Sequence, residues 1–524
     1  MSVAENSFVL AIDLGTSGPK VALVARNGRV VASEIEETRL LLLEGGGAEQ
    51  DPADWWDGIS RACKRLMAGR PHAKLEAVAV TAQWSGTVPV DVTGYPLMNA
   101  IIWMDSRGSR QATKLNDGLI KIEGYGLSKI WKFLRLTGGA PAHSGKDSIA
   151  HILYLKEEYP EIYARTFKFL EPKDYLNLKL TGKFAASFDS IALHWVTDNR
   201  NINSIDYHPS LLTLTGLPRD KLPDLGRATD ILGEVSEHAA ADLGIPAGVP
   251  VIYGTPDLQS AAVGSGAVKD FEGHLYIGTS SWLTCHVPFK KTDILHNMAT
   301  LPSGIPGRYF IANEQETAGY CLTYLRDKIF YADDALETGP APKDAYARMT
   351  GLAATIPPGS DGLLFAPWMY GERTPIEDHS VRGAFFNQSL STTRGHMVRA
   401  VLEGVAFNSR WLLGYVEAFI GRKFESINMI GGGARSNLWC QIVADVLDRT
   451  IKQVEDPVQA NTRGIGLLGW AAIGKHTFEE ISANIPITGT FTPIPANRSV
   501  YDKLFKEFLI FYKRNKQSYA RLNA

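Results

Sequence analysis

Apolar and polar positions along the first hundred residues fall into short blocks that read as strands and one long amphipathic helix. Residues 8–13 form an apolar run ending in an acid, 15–18 a glycine-rich turn and 21–25 a second apolar run. Asn27-Gly28 predicts a type I′ hairpin turn into a third strand over 30–35. Trp55, Trp56, Ile59, Cys63 and Leu66 then recur at helical spacing, predicting a helix over 52–67, and 77–81 reads as a short buried strand. Hairpin-linked strands followed by βα units predict an α/β sheet with mixed strand directions.

The same pattern returns half a chain later. Ile12-Asp13-Leu14-Gly15-Thr16-Ser17 is echoed by Leu275-Tyr276-Ile277-Gly278-Thr279-Ser280, each a strand running into Gly-Thr-Ser and then a second strand. A duplicated domain with a cleft between the copies follows from this. The copies differ where it matters chemically, because Tyr276 stands in the place of Asp13. The boundary falls near 264–271, giving domains over 1–265 and 266–524.

Composition adds mainly exclusions. With 524 residues, 45% apolar and 21% charged, the chain has the make-up of a folded multidomain protein and not of a disordered one. A net charge of −2, with no run of like charges, lacks the footprint of a nucleic-acid binder and points to a small-molecule partner. No apolar stretch approaches the length of a membrane span and the first residues carry no signal-like pattern, so the expectation is a cytoplasmic protein without membrane contact, with a homodimer as the candidate assembly. Cys63, Cys285, Cys321 and Cys440 lie far apart and read as buried free thiols.

Several segments could carry chemistry. The Gly15–Gly18 turn offers backbone N–H groups, the hydroxyls of Thr16 and Ser17, and Lys20 just beyond, a set that suits polyphosphate oxygens. Asp13 beside that cradle makes sense if a divalent cation, Mg²⁺ held through water, lies between acid and phosphate; taken alone, the segment equally fits a polar hairpin turn. Gly431-Gly432-Gly433-Ala434-Arg435-Ser436-Asn437 follows an apolar run and opens a helical pattern, a loop that admits a flat ring or a phosphate, or equally a tight turn with a helix cap. Asp257 falls in the first turn of a predicted helix, where the dipole favours the anion and a substrate hydroxyl could give up its proton, or where it could simply cap. Trp84-Ser85 and Trp103 with Asp105 and Arg107 pair aromatic faces with polar groups, as polyhydroxylated ligands require; ordinary core tryptophans with an ion pair fit as well. Gly464, Gly466 and Gly469 form a G-x-G-x-x-G that does not follow a strand, and read as the face of a closely packed helix. No G-x-x-x-x-G-K-[ST] is present, and the twelve histidines show no metal-binding spacing.

Together these segments resemble the FGGY carbohydrate kinases, most closely their xylulokinase branch. The resemblance is carried by residues 12–18 with Lys20, Gln50-Asp51-Pro52 with Trp55-Trp56, Trp103-x-Asp105-x-Arg107, Pro172-Lys173-Asp174-Tyr175-Leu176, Gly371-Glu372-Arg373-Thr374-Pro375, 399–405 and 431–436, in the family's order. It implies two ribonuclease H-like domains of the actin-like ATPase type around a catalytic cleft, and transfer of the γ-phosphoryl group of MgATP to a sugar hydroxyl. A pentulose is the leading substrate; another polyol, ketose or aldonic acid, or a non-kinase ATPase or sugar-binding protein of the same fold, is the alternative. By motif position the resemblance makes Asp257 the general base and Asp13 the acid near phosphate and Mg²⁺. Thr16, Ser17, Gly18, Lys20 and Thr279 become phosphate contacts; Gly319, Thr323, Gly433 and Asn437 line the nucleotide; Trp84, Ser85, Trp103 and Asp105 hold the sugar. Xylulokinases usually have Met-His where this chain has Trp84-Ser85, and Asn or Gln where it has Leu258, so the identity of the sugar is the least fixed of these expectations.

Overall fold

In the computed structural model, which describes residues 6–70, 72–122, 124–336 and 339–523, two mixed sheets form the frame. The first is built from β1 (Ser7–Gly15), β2 (Gly18–Ala25), β3 (Val30–Ile35), then, after helix α1 (Pro52–Ala68), β4 (Lys74–Ala82), β5 (Ile231–Glu234) and β6 (Pro250–Ile252). Its order is β5-β6-β4-β1-β2-β3, with β1 antiparallel to β2 and parallel to β4, and β6 parallel to β4. Asp51 caps α1 by accepting a hydrogen bond from Ala53 N, and Trp55, Ile59, Cys63 and Leu66 bury the helix on the sheet. The turn at Asn27-Gly28 is not type I′. Only Gly28 is left-handed; Asn27 stays right-handed and its side chain accepts from Arg29 N, giving a type I turn closed by a left-handed glycine and a bulge in β2–β3.

Helix α2 (Asp257–Gly264) leads to the second sheet: β7 (Gly273–Ile277), β8 (Ser281–Thr284) and, after the long helix α3 (Arg394–Ile420), β9 (Ser426–Ile430), helix α4 (Asn437–Leu447) and β10 (Thr450–Val454). Helix α5 (Ala460–Ala472) follows, then β11 (Ile487–Phe491) and the C-terminal helix α6 (Arg498–Leu522). The order β8-β7-β9-β10-β11 repeats the logic of the first sheet, with β7 antiparallel to its hairpin partner and parallel to β9 on the other side. The duplication expected from the two Gly-Thr-Ser turns is present as two like-built sheets, each entered by a hairpin. The four cysteines are buried and free.

The sheets are joined by a crossing of α2 and α5. A Cβ on Gly264 would meet Ala460 O at 1.8 Å, and one on Gly464 would meet Ser260 O at 1.8 Å, so the two helix backbones touch through glycine. Although α5 comes from the second half of the sequence, it lies on the first sheet. Gly466 sits against Val24, Gly469 against Val9, and Trp470 Nε1 donates to Val24 O at 3.0 Å. The G-x-G-x-x-G is therefore a packing face. No helix is long and apolar enough, among the described residues, to cross a membrane.

Candidate active site

The carboxyl ends of β1 and β6 flank that of β4, and each delivers an acid. Asp13 lies near the carboxyl end of β1, paired in register with Lys20 across the hairpin and Thr81 on β4. One of its oxygens accepts from Thr462 Oγ1 of α5 at 3.2 Å, and the other has no partner among the described residues. Burial raises its pKa, opposed by Lys20 and Thr462. Asp257 opens α2 just beyond β6 and is held only from the backbone, Leu258 N donating to Oδ1 at 2.8 Å. Its pKa is pushed up to about 7, first by burial and then by the charge of Asp13. The helix dipole alone would have favoured the anion; removal from water outweighs it, and the group is poised to take a proton near neutrality.

The first Gly-Thr-Ser turn is braced from behind. Thr16 Oγ1 donates to Gln83 Oε1 at 3.0 Å and accepts from Trp103 Nε1 at 2.9 Å, while Gln50 Nε2 donates to Thr16 O at 2.8 Å. Gln83 in turn donates to Gln50, which also accepts from Trp55 Nε1. Gly18, at φ +137°, is the position no side chain could take, since a Cβ would lie 2.1 Å from Glu36 O. Ser17 is exposed, and Lys20 Nζ donates to Val458 O at 3.3 Å, next to the start of α5.

In the second half, glycines from two segments converge on the end of β7. A Cβ on Gly319 would meet Gly278 O at 2.4 Å, one on Gly431 would meet Ile277 O at 2.5 Å, and one on Gly433 would meet the Ile277 side chain at 2.7 Å. The loop before α4 ends in Ser436, whose hydroxyl caps Trp439 N, while Asn437 is exposed and accepts from Gln453 Nε2 at 3.1 Å. Thr279 is exposed at the turn, and the Thr323 hydroxyl pairs with Tyr346 Oη at 2.7 Å.

The aromatic wall differs in detail from what the sequence suggests. Trp84 Nε1 already donates to Ser190 O at 2.8 Å and Ser85 Oγ to Lys146 O at 2.6 Å, so both present surface and no free donor. Asp105 is 1% exposed; its carboxylate takes Ala48 N at 2.9 Å and a bidentate Arg107, which also reaches Glu49. Through these bonds Asp105 anchors the turn that carries Trp103.

Sequence reasoning gave no site role to Gln83, Thr462 or Lys146, nor to Arg373, named only within a family motif, which bonds Glu314 at 2.5 Å and Glu316 at 2.7 Å. Gln83 stood next to Trp84 at a strand end, and that adjacency was a usable signal. Lys146 and Thr462 sit in segments without a pattern of their own. Among the described residues no group of three or more His, Cys, Asp or Glu side chains could hold a metal ion.

Comparison with known proteins places this geometry. Residues 8–264 match the model of the "FGGY family of carbohydrate kinases, N-terminal domain", and residues 274–473 that of the C-terminal domain. The chain is 28% identical over 521 residues to a xylulose kinase of Staphylococcus epidermidis, covering 98% of each. It is 27% identical over 518 residues to a gluconokinase of Bacillus subtilis, again covering 98% of each. The solved structure of a xylulose kinase from Rhodospirillum rubrum superimposes with a TM-score of 0.83 at 26% identity, covering 98% of this chain and 99% of that one.

Proposed function

The chain belongs to the FGGY family of carbohydrate kinases, enzymes that move a phosphoryl group from ATP to a sugar hydroxyl, and from that premise we propose that its own substrate is a pentulose of the D-xylulose type and that Asp257 is the general base. The observation that carries the base assignment is Asp257 itself, a carboxylate at the cleft end of β6 with no side-chain partner among the described residues and a pKa pushed up to about 7; the pentulose is supported by the xylulose kinases that the chain resembles. The hydroxyl proton passes to Asp257 as the sugar oxygen bonds to the γ-phosphorus. The bond from that phosphorus to the β–γ bridging oxygen breaks, and ADP departs.

Around this step the other residues hold and exclude. Thr16, Ser17, Gly18 and Lys20 on the first turn and Thr279 on the second contact the phosphates; Gly319, Thr323, Gly433 and Asn437 lie along the nucleotide, where glycine leaves room for it. Trp84, Ser85 and Trp103 wall the sugar, with Asp105 as a positioning residue behind them. The unpartnered oxygen of Asp13 fits Mg²⁺ that arrives with the nucleotide and is met through water, and the lack of a three-ligand protein set among the described residues suits such an ion better than a resident metal. When bound, the ion neutralises charge on the phosphates.

One observation favours a second reading. The Lys146 ammonium has no hydrogen-bond partner among the described residues, although its carbonyl holds Ser85 and the charges of Arg373, Glu316 and Glu314 bear on it. A cation at the sugar wall suits the carboxylate of an aldonic acid, the chemistry named for the Bacillus subtilis relative. ADP release measured across D-xylulose, other ketoses, free polyols and aldonates separates the two. Highest kcat/KM on D-xylulose supports the first reading; highest kcat/KM on an aldonate, abolished by Lys146→Met, replaces it with the second.

A further inference from the structure

Where the first half carries Asp13 near the end of its leading strand, the second half carries Tyr276 near the end of β7, and the exchange of an acid for a phenol has a definite geometry. Tyr276 and Trp282 are directly opposed across β7 and β8. Their rings stack with centroids 3.9 Å apart and 11° between planes. Trp282 is fixed in turn, its Nε1 donating to His274 Nε2 at 3.3 Å, while His274 Nδ1 pairs with Ser265 Oγ at 2.9 Å. Ser265 Oγ already donates to Ala262 O, so it accepts from His274, and the ring is locked as the tautomer that receives the indole N–H.

A tyrosine clamped in this way cannot swing, and its hydroxyl end is placed. An added Cβ on Gly278 would lie 1.9 Å from Tyr276 Oη, so the phenol lies along the strand over Gly278, in the second Gly-Thr-Ser turn. Tyr276 is half-buried, and Oη has no hydrogen-bond partner among the described residues. Burial first, and then the charges of Asp257, Asp13 and Glu314 that bear on it, push its pKa up to about 12. At working pH the phenol is therefore a neutral O–H. A free donor held over a phosphate turn, opposite two acids, is aimed at an anion: a third carboxylate at this position would repel the phosphoryl group, whereas an O–H can donate to it.

Resting on the reading of Asp257 as base, we propose that Tyr276 Oη is a catalytic hydrogen-bond donor to an oxygen of the γ-phosphoryl group as it passes from ADP to the sugar. No bond of Tyr276 is made or broken; the donated hydrogen bond strengthens as the group separates from both flanking oxygens and its charge collects on the three equatorial ones. The interaction belongs to the transition state more than to bound ATP, so it is expressed in kcat and not in KM.

The test compares Tyr276→Phe with Tyr276→Leu in steady-state ADP release, alongside Tm. Because Oη bonds no protein group, Phe keeps the stack on Trp282 and leaves no buried partner unsatisfied, so its Tm should match that of the parent. Its kcat is expected to fall on the order of 10- to 100-fold with KM for MgATP and for the sugar within twofold. Leu should lose a similar factor in kcat and also some Tm. A Phe variant with kcat within threefold of the parent overturns the proposal, as does an unchanged kcat with a raised KM for MgATP, which would make the hydroxyl a ground-state contact. Asp257→Asn is assayed in parallel. If that variant keeps its activity, the base assignment fails on its own, whatever the outcome at Tyr276.

Discussion

Two carboxylates in this protein, Glu403 fully buried and Asp257 half-buried, have the same primary perturbation and opposite surroundings. Glu403, inside α3, is raised by burial but accepts from Arg399 Nε at 2.8 Å, Tyr501 Oη at 2.9 Å, Gly359 N at 2.9 Å and Ser360 Oγ at 2.8 Å. Asp257 is raised by burial too, yet it has only backbone donors, and its nearest charged influence is another acid. The first is a closed network that pins the C-terminal helix to α3; the second is left open toward the cleft. Burial and a shifted pKa do not mark a reactive group by themselves. What marks it is hydrogen-bonding capacity that the protein leaves unused.

The sharpest way to break this contrast is to neutralise each acid. Asp257→Asn should lower kcat on the order of 10²- to 10⁴-fold, since an amide keeps the shape and cannot take the proton. Its Tm should not fall. The folded-state value of about 7 lies above the ordinary 3.8, so ionised Asp257 weighs against the fold as pH rises through that window. At pH 8 the Asn variant is expected to melt at or above the parent's temperature. A loss of Tm without loss of turnover would reverse the roles assigned to the two residues.

Glu403→Gln should do the opposite. Removing the carboxylate strands the buried Arg399, a change that costs about 3–5 kcal/mol when one partner of a buried pair is lost. Chemical denaturation should show that drop, while the remaining folded enzyme keeps its kcat. A smaller effect separates the acids by titration. With MgATP saturating, kcat/KM for the sugar should fall about tenfold per pH unit below about 7, as Asp257 takes up a proton, and the profile of Glu403→Gln should be superimposable. The smallest expected effect concerns the bracing of the first turn. Trp103→Phe removes the 2.9 Å hydrogen bond to Thr16, about 1 kcal/mol, and should raise KM for MgATP several-fold with little change in Tm.

The fold was legible because both halves write it twice, as an apolar strand, a Gly-Thr-Ser turn and a second strand, and periodicity alone located the helix after them. The turn at Asn27-Gly28 was misread because Asn27 can satisfy Arg29 N with its side chain and so needs no left-handed backbone. In the site, Asp13 and Asp257 could be named from their places at strand ends. That Trp84 and Ser85 have their polar atoms occupied could not be foreseen, because their partners Ser190 and Lys146 are distant in sequence, whereas the pairing of Asp105 with Arg107 was one of the two readings the sequence offered. The replacement of Asp13 by Tyr276 was visible in the repeat, but its meaning required the stack on Trp282.

The seating of α5 on the first sheet sets a timetable for synthesis. Val9, Ala11, Val24, Ala77, Ala79, Ala228 and Ile252 form an apolar surface that Ile465, Leu468 and Trp470 of α5 complete. A ribosome working at about 5–20 residues per second needs on the order of 20–90 s between releasing the first partners and the last. Throughout that interval the nascent chain carries an uncovered apolar face, a standing target for chaperones and for aggregation. A fragment ending at Gly264 should bind a hydrophobic dye and lose that binding when residues 266–523 are supplied in trans.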